Sequence, residues 1–319
     1  MKPPLVVVTS PLPGDALEMA EGRARIKVYR SPSRDEATLT RRLRRADGAI
    51  TLLSDPVGGS VIKGSPRLRV ISNYAVGTDN IDLESARKRG VVVTNTPDVL
   101  SEATADIAWT LILGTARRAI EGDRMVRRGR FKGWNPNLLL GMDIAGKTLG
   151  IVGMGRIGRA TARRAPVFGM KVVYSQRKRL PASSEAALSA RFLPLDELVK
   201  RADVVSLHCP LTPQTKHLFN RNRLKLMKDG AILVNTGRGA LIDEGALVEA
   251  LRFGKPAAAG LDVYEREPLL ADGLTALSNV MLLPHLGSAG RETREEMARM
   301  AVSDCLAVIE GRAPEHPVG

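Results

Sequence analysis

Short β-branched apolar runs alternate with helix-length amphipathic stretches along most of the chain. This alternation is typical of a parallel β-sheet covered by helices. In the first third, the runs predict strands at residues 5–9, 26–29, 48–53, 69–72 and 91–94. Helical patterns lie between them, for example at residues 34–45 and 83–89.

A second series of the same kind begins after Gly146 and Lys147. It predicts strands at residues 148–152, 171–174, 204–208, 231–235, 258–261 and 280–283. The pattern breaks at residues 96–99, and a long helix is expected from about Ser101, where a capping residue and an acidic first turn occur. Its body at residues 107–119 is strongly apolar, which predicts burial.

After Gly290 the chain is predicted to continue as one amphipathic helix to about Glu310. The apolar residues Met297, Ala301 and Cys305 recur on one face at helical spacing. Because this helix has no strand of its own, it is expected to pack back on the first series of strands.

These patterns predict an α/β protein of two Rossmann-like or flavodoxin-like domains with parallel sheets. The substrate domain is expected to be discontinuous, at residues 1–97 plus 289–319. The cofactor domain, at residues 98–288, would be inserted into it. A chain of 319 residues is long enough for two such domains.

The cysteine content and the hydropathy exclude several classes of protein. The two cysteines, Cys209 and Cys305, form no CxxC pair, which argues against a disulfide framework or a metal site and suits a reducing compartment. The apolar run at residues 5–8 is too short for a signal peptide, and no stretch reaches the roughly 20 apolar residues of a membrane span. A cytoplasmic protein without a membrane partner is expected.

The net charge of +14 at first suggests a nucleic-acid partner. The arginines are, however, scattered along the chain, and aromatic residues make up only 3% of it, so no stacking platform for single strands is expected. An arginine-rich surface that attracts small anions is the favoured interpretation, and no nucleic-acid partner is expected.

The strongest local motif is the Gly-x-Gly-x-x-Gly segment that contains Gly153, Gly155, Arg156, Ile157 and Gly158. It directly follows a predicted buried strand and begins a predicted helix. In that context the first glycine permits a tight turn, the second lets the backbone approach a pyrophosphate, and the third allows close helix–strand packing. The motif therefore predicts a dinucleotide site with its phosphates at the helix N-terminus.

The next predicted strand indicates which dinucleotide binds. An NAD site usually ends this strand with an acidic residue that binds the ribose 2′-hydroxyl. Here the chain has Ser175, Gln176, Arg177, Lys178 and Arg179 instead. Without an acid and with several cations, of which Arg177 best matches phosphate oxygens, the loop favours NADP, and NAD stays open as the alternative.

Three residues at predicted strand ends of the cofactor domain have the chemistry that reduction of a 2-oxo acid requires. Arg238 can hold a carboxylate, His285 can donate a proton to the developing alkoxide, and Glu267 can keep the histidine charged and oriented. Open α/β sheets bind their ligands at the carboxyl ends of the strands.

Seven segments in order along the chain, at residues 73–82, 95–97, 153–158, 208–213, 234–240, 260–268 and 283–289, resemble the D-isomer-specific 2-hydroxyacid dehydrogenase family. Within that family the chain is most similar to glyoxylate and hydroxypyruvate reductases. The resemblance implies a small 2-oxo or 2-hydroxy acid as substrate, and reduction of glyoxylate or hydroxypyruvate to glycolate or D-glycerate.

The resemblance also implies residue roles. His285 would be the acid/base, Glu267 its hydrogen-bond partner, and Arg238 the ligand of the substrate carboxylate. The backbone N–H groups of Val76 and Gly77 would bind the same carboxylate, while Leu53 and Ser54 would line the substrate pocket. The cofactor would contact Thr104, Gly153, Gly155, Arg156, Ile157, Gly158, Ser175, Gln176, Arg177, Cys209, Pro210, Thr215, Thr236, Gly237, Asp262 and Gly287.

Several alternatives remain open at this point. His208 is expected to shape the adenosine pocket, Glu265 is the nearest rival to Glu267, and a thiol nucleophile at Cys209 is rejected because no positioned base is evident. Trp134 falls in the segment that members of the family use for dimerisation, so a homodimer is expected. The alternatives in function are another reductase of the family, acting on 2-ketogluconate or an aliphatic 2-oxo acid, and a nucleotide-sensing protein like the corepressors that share this fold.

Overall fold

Strands and helices alternate along residues 2–318, which the computed structural model describes. Twelve strands occur in this span: β1 (Leu5–Val8), β2 (Arg25–Val28), β3 (Gly48–Leu52), β4 (Val70–Tyr74), β5 (Val92–Thr94), β6 (Thr148–Val152), β7 (Lys171–Ser175), β8 (Ala190–Phe192), β9 (Val204–Leu207), β10 (Ile232–Asn235), β11 (Ala258–Leu261) and β12 (Val280–Leu282). Eleven α-helices accompany them within the same span: α1 (Glu36–Leu43), α2 (Gly59–Gly64), α3 (Leu83–Lys88), α4 (Ser101–Ala116), α5 (Ala119–Arg127), α6 (Arg156–Arg164), α7 (Ala182–Ala187), α8 (Leu195–Arg201), α9 (Arg221–Leu226), α10 (Glu244–Arg252) and α11 (Arg291–Ile309).

The chain divides into two compact units. The first unit is formed by the chain up to Leu100 and again from Ala289 onward. Its five parallel strands have the order β2-β1-β3-β4-β5, which is the flavodoxin-like order. Apolar residues of α1, α2 and α3 cover one face of this sheet, and those of α11 cover the other. Two-sided burial explains why the strands are nearly continuous apolar runs.

The second unit extends from Ser101 to Ser288. Its seven parallel strands have the order β8-β7-β6-β9-β10-β11-β12, the doubly wound order of a Rossmann fold. The strand order reverses between β6 and β9, and a crevice for a ligand forms at such a point beyond the carboxyl ends of the strands. The predicted α/β class with two parallel-sheet folds is therefore confirmed.

Helix α4 shows how the sheet of the second unit is covered. Leu111 and Ile112 are fully buried, and helix α4 packs against β10 and β11. Gly260 of β11 permits this close approach, because a Cβ atom at that position would lie 2.9 Å from the Leu111 Cβ. Each such buried leucine or isoleucine contributes about 1.5–3 kcal/mol from burial of apolar surface.

The structure differs from the predicted elements in two places. The helix expected to continue to residue 119 ends at Ala116, because Arg118 adopts a left-handed conformation with a φ of 53°, and a new helix begins at Ala119. Strand β8 was not predicted, because it has only three residues and one of them, Arg191, is exposed.

None of the helices within residues 2–318 combines the length and the apolar character that crossing a membrane requires.

Candidate active site

The glycine-rich turn follows β6 and leads into α6. Gly153 has a φ of 94°, and a Cβ atom there would lie 2.6 Å from the backbone nitrogen of Cys209, so only glycine fits. A Cβ atom on Gly158 would lie 2.2 Å from the Gly153 carbonyl oxygen, whereas Gly155 faces open space. Gly155 caps the nine-residue helix α6 without a side-chain hydrogen bond. The first N–H groups of α6 can therefore bind a pyrophosphate beside Gly155, and the turn fits a dinucleotide.

The end of β9 forms the opposite wall of this turn. His208 lies between Ser206, whose Oγ is 2.9 Å from its Nε2, and Thr236, whose Oγ1 is 3.4 Å from its Nδ1. Burial lowers the pKa of His208 to about 4, so this imidazole is neutral at physiological pH. Cys209 follows directly, and burial raises the pKa of its thiol to about 11, so it carries no thiolate that could act as a nucleophile.

The loop after His208 is closed by hydrogen bonds of its own. The Thr215 hydroxyl donates to the Pro210 carbonyl oxygen at 2.7 Å and accepts from the Thr212 N–H at 2.7 Å. Pro210 and Thr215, both predicted to contact the cofactor, therefore lie on one loop that is held at the edge of the turn.

The loop after β7 carries the residues predicted to choose the cofactor. The Ser175 side chain is buried, whereas Arg177 and Lys178 are exposed. Gln176 accepts a hydrogen bond from the Met154 N–H at 3.1 Å and donates one to the Lys178 carbonyl oxygen at 2.6 Å. The Gln176 amide thus ties the glycine-rich turn to the cation loop.

Only part of this cluster of cations is available to a ligand. Arg179 donates two hydrogen bonds to the Glu185 carboxylate, at 2.9 and 2.8 Å, and the Tyr174 hydroxyl donates to the same group at 2.6 Å. Hydrogen bonds from Arg179 and then Tyr174 lower the pKa of Glu185 to about 2. Arg179 is therefore held by its own unit, while Arg177 and Lys178 have no acidic partner within residues 2–318.

The turn after β10 positions Arg238. The buried Asn235 side chain accepts from the Gly237 N–H at 3.0 Å and donates to the Arg238 carbonyl oxygen at 2.8 Å. Arg238 also donates from Nη1 to the Gly237 carbonyl oxygen at 3.0 Å. These contacts fix the Thr236–Arg238 turn at the carboxyl edge of the sheet. Asn235 is not among the predicted site residues, although an asparagine that caps its own turn at a strand end is a recognisable signal.

The Asp262 carboxylate, which is fully buried, organises the turn that follows β12. It accepts hydrogen bonds from the N–H groups of Leu286 at 2.6 Å and Gly287 at 2.8 Å, and the His285 N–H donates to the Asp262 carbonyl oxygen at 2.9 Å. Burial raises the pKa of Asp262 above its ordinary value despite these donors. Asp262 was predicted to contact the cofactor, and the structure shows that both of its carboxylate oxygens hold the His285 turn.

Two weaker candidates for the cofactor site lie beside Asp262. Thr104 of α4 is buried, and a Cβ atom added to Gly287 would lie 3.4 Å from both the Thr104 Cγ2 and the Asp262 Oδ2. The structure therefore brings Thr104, Asp262 and Gly287 together.

His285 and Glu267 form a hydrogen-bonded pair. The His285 Nδ1 donates to the Glu267 Oε2 at 2.9 Å, which leaves Nε2 as the nitrogen that can face a substrate. The side chains are 25% and 31% exposed, so the pair is reachable from solvent and yet partly shielded. His285 has a φ of 57°, a left-handed conformation that is uncommon outside glycine and often marks functional sites.

The charges around Glu267 keep it ionised. Burial alone would raise its pKa, but the hydrogen bond and charge of His285, the Tyr264 N–H and the charge of Arg238 together lower it below the ordinary value. The Tyr264 N–H donates to Glu267 Oε1 at 3.0 Å. The second unit thus brings Glu267 and His285 into hydrogen-bond contact, and the charge of Arg238 acts on Glu267.

The rival carboxylate Glu265 has a different partner. Its Oε1 lies 2.8 Å from the Nε2 of His217, so it does not compete with Glu267 for His285.

The predicted substrate residues of the first unit lie on two adjacent loops. Leu53 and Ser54 follow β3 and are exposed, and Val76 and Gly77 follow β4. The Asn80 side chain donates to the carbonyl oxygens of Leu52 and Asp55, both at 3.1 Å, and so ties the loops together.

Two further asparagines hold the backbone of the second loop. Asn73 donates to the Gly77 carbonyl oxygen at 2.9 Å, and Asn95 donates to that of Val76 at 2.8 Å. Among residues 2–100 and 289–318, no acceptor pairs with the N–H of Val76 or Gly77. Consecutive N–H groups of this kind can bind an anion. These supporting asparagines are not among the predicted site residues.

Nothing within residues 2–318 groups three or more His, Cys, Asp or Glu side chains in a way that could hold a metal ion.

Comparison with known proteins relates this geometry to a family. The family described as "D-isomer specific 2-hydroxyacid dehydrogenase, NAD binding domain" matches residues 109–287. The chain is 47% identical over 316 residues to the glyoxylate reductase of Thermococcus onnurineus, covering 98% of this chain and 94% of that protein.

Two solved structures match over nearly the full length. A crystal structure of a protein from Thermus thermophilus has a TM-score of 0.91 and 51% sequence identity, covering 99% of this chain and 100% of that one. The NADPH-dependent glyoxylate/hydroxypyruvate reductase of Sinorhizobium meliloti, in complex with NADP and malonate, has a TM-score of 0.88 and 33% identity, covering 99% and 97%.

The Arg179–Glu185 pair leads to a prediction about how the stability of the protein depends on pH. Because the folded pKa of Glu185 is about 2, against an ordinary value of 4.5, its contribution to stability is present above about pH 4.5 and is lost as the pH falls towards 2. We expect Glu185→Gln to lower the denaturation midpoint at neutral pH, with the difference from wild type shrinking between pH 4.5 and 2. Urea titrations of both proteins at several pH values in this range measure the difference between their denaturation midpoints. A difference independent of pH would contradict the assignment.

Proposed function

The chain belongs to the D-isomer-specific 2-hydroxyacid dehydrogenase family, and we propose that it uses NADPH to reduce glyoxylate and hydroxypyruvate to glycolate and D-glycerate. Membership makes it an NAD(P)-dependent oxidoreductase that acts on CH–OH donors. The observation that carries the proposal is the His285–Glu267 pair beside Arg238, in the same unit as the glycine-rich turn. The names of the relatives from Thermococcus onnurineus and Sinorhizobium meliloti support the choice of substrates.

The protein's own residues supply the proton in this reaction. When bound, the nicotinamide cofactor supplies the hydride that adds to the carbonyl carbon of the substrate. The carbonyl oxygen then needs one proton, and His285 donates it from Nε2, because Nδ1 is occupied by Glu267. Ionised Glu267 stabilises the protonated imidazole before transfer and fixes the orientation of the ring.

The substrate carboxylate needs cationic or N–H donors. Arg238 binds it and polarises the adjacent carbonyl, a role for which its planar guanidinium is suited. In the first unit, the N–H groups of Val76 and Gly77 are suited to bind an anion, and the Leu53–Ser54 loop beside them is the predicted lining of a substrate pocket. The asparagine contacts around the Val76–Gly77 loop support this assignment, because they fix the direction of the two N–H groups.

The preference for NADPH rests on the loop after β7. No carboxylate stands in the Ser175–Arg179 segment to bind a ribose 2′-hydroxyl. Arg177 and Lys178 are exposed cations, and a 2′-phosphate would be drawn to them.

The turnover of defined variants tests the chemical proposal. We expect His285→Ala to lower kcat by roughly 10²–10⁴-fold, because the proton donor is lost, while the dissociation constant for NADPH stays nearly unchanged. NADPH oxidation with glyoxylate measures turnover, and quenching of intrinsic fluorescence measures cofactor binding. If activity and cofactor binding disappeared together, His285 would have a structural role instead.

The wild-type protein should be tested against glyoxylate, hydroxypyruvate, pyruvate and 2-ketogluconate with each cofactor. A better turnover of pyruvate or 2-ketogluconate would assign the chain to another reductase of the family.

The loop after β7 offers a matched pair of variants for the cofactor preference. We expect Arg177→Ala to raise the KM for NADPH by about tenfold, with little change for NADH, because a charge-assisted contact to the 2′-phosphate is lost. Arg179→Ala is the control, since Arg179 is held by Glu185. Equal losses in the two variants, or a wild-type preference for NADH, would refute the assignment.

We also propose that the chain forms a homodimer through an arm defined as residues 119–146. None of the arm residues is buried. It exposes large apolar side chains, among them Phe131 at 51%, Trp134 at 84% and Leu140 at 64%. Exposed aromatic side chains are typical of protein–protein interfaces, because they bury a large apolar surface when a partner subunit covers them.

Sedimentation velocity tests the homodimer. We expect the wild type to sediment as a dimer, and the Phe131→Ala/Trp134→Ala variant to shift towards the monomer, because its aromatic anchors are lost. Phe253→Ala is the control, since Phe253 is 87% exposed at the end of α10 and lies outside the arm. A monomeric wild type, or an unchanged double variant, would exclude this interface.

A further inference from the structure

Glu244 is a buried carboxylate to which the chemistry above gives no role. It is the first residue of α10 and only 5% exposed, whereas the preceding Asp243 caps the helix by accepting from the Ala246 N–H. Burial raises the pKa of Glu244, with the nearby charges of Glu265 and Glu267 adding to the effect. A buried carboxylate is costly unless it is well hydrogen-bonded, so its partners indicate its purpose.

The hydrogen-bond partner of Glu244 is the start of one loop. Its Oε1 accepts a hydrogen bond from the Glu265 N–H at 2.7 Å, and the backbone N–H of Ala271, at the other end of the loop, lowers the pKa of the same carboxylate. Glu267 lies between Glu265 and Ala271 on this loop. An internal contact, from the Leu269 N–H to the Arg266 carbonyl oxygen at 2.8 Å, tightens the loop further.

The same loop packs directly on the turn that carries Arg238. A Cβ atom added to Gly239 would lie 1.8 Å from the Tyr264 carbonyl carbon, so only glycine allows this contact. The Tyr264 hydroxyl donates to the Leu283 carbonyl oxygen at 2.8 Å, two residues before His285. The position of the loop therefore fixes Glu267 relative to both Arg238 and His285.

We propose that Glu244 is a positioning residue for the reaction: by holding the Glu265 end of the Glu265–Ala271 loop, it places the Glu267 carboxylate against His285. This rests on the proposed function, in which Glu267 stabilises the protonated His285. The carboxylate is needed because a charged acceptor binds the Glu265 N–H more strongly than the neutral side-chain amide of a glutamine does. The His217–Glu265 pair supports the arrangement, since it directs the neighbouring acid away from His285.

The pH profile of kcat separates positioning from mere structural support. Besides His285, four ionisable residues interact electrostatically with Glu267, so that one affects the pKa of the other. They are Asp262, Tyr264, Arg238 and Glu244. Displacement of Glu267 weakens its interaction with the protonated imidazole of His285. The alkaline limb of the kcat profile should therefore move to lower pH.

We expect Glu244→Gln to lower kcat with glyoxylate by roughly tenfold, because small misplacements of catalytic groups are costly. The alkaline midpoint of the kcat profile should fall, while the dissociation constant for NADPH stays unchanged. Glu244→Ala should have a larger effect on kcat, since it leaves the Glu265 N–H without its acceptor. Glu249→Gln is the matched control on the same helix, because that carboxylate is about half exposed and pairs with Arg221.

The outcomes distinguish this inference from the proposed function. If His285→Ala abolishes turnover but Glu244→Gln has the kcat and pH profile of Glu249→Gln, the positioning role is excluded and the proposed function stands. The positioning role would also be excluded if the Glu244→Gln variant lost stability and NADPH binding while the alkaline midpoint of its kcat profile stayed unchanged. An active His285→Ala variant would instead overturn the proposed function itself.

Discussion

Two hydrogen bonds to one buried carboxylate hold the candidate site together. The Asp262 side chain accepts from the N–H groups of Leu286 and Gly287, and so ties the end of β11 to the turn after β12. Because neighbouring parallel strands end at the same edge of the sheet, this link brings the side chains of the two strand ends within hydrogen-bond distance. The His285–Glu267 pair depends on the register between β11 and β12. A slip of one residue between these strands would turn the side chains of the slipped strand to the opposite face of the sheet.

Much of the fold could be predicted from the sequence because both sheets are buried on two sides. Their strands are therefore runs of β-branched residues separated by helical patterns. The break between α4 and α5 was not predictable, because the left-handed residue there is Arg118 rather than glycine or asparagine. Strand β8 likewise has too few apolar residues to produce a pattern.

The candidate site was predictable in a different way. The residue types at strand ends indicated the chemistry, but which glutamate pairs with which histidine depends on contacts between distant segments. Glu265 and Glu267 are two residues apart, and only the structure shows that the first pairs with His217 and the second with His285. Similarly, three adjacent cations after β7 look equivalent in sequence until Arg179 is seen to bind Glu185. The excess positive charge of the chain adds a general attraction for anions, and the isolated surface ion pairs contribute little to stability.

The left-handed backbone at His285 has a consequence for what can replace this residue. For most side chains that conformation costs on the order of 1 kcal/mol relative to glycine, and asparagine also tolerates it. A glycine at this position would relieve the backbone but would leave the partly buried Glu267 carboxylate without its hydrogen-bond partner. The strain of one residue is thus balanced by the charge of another, and neither can be relaxed alone.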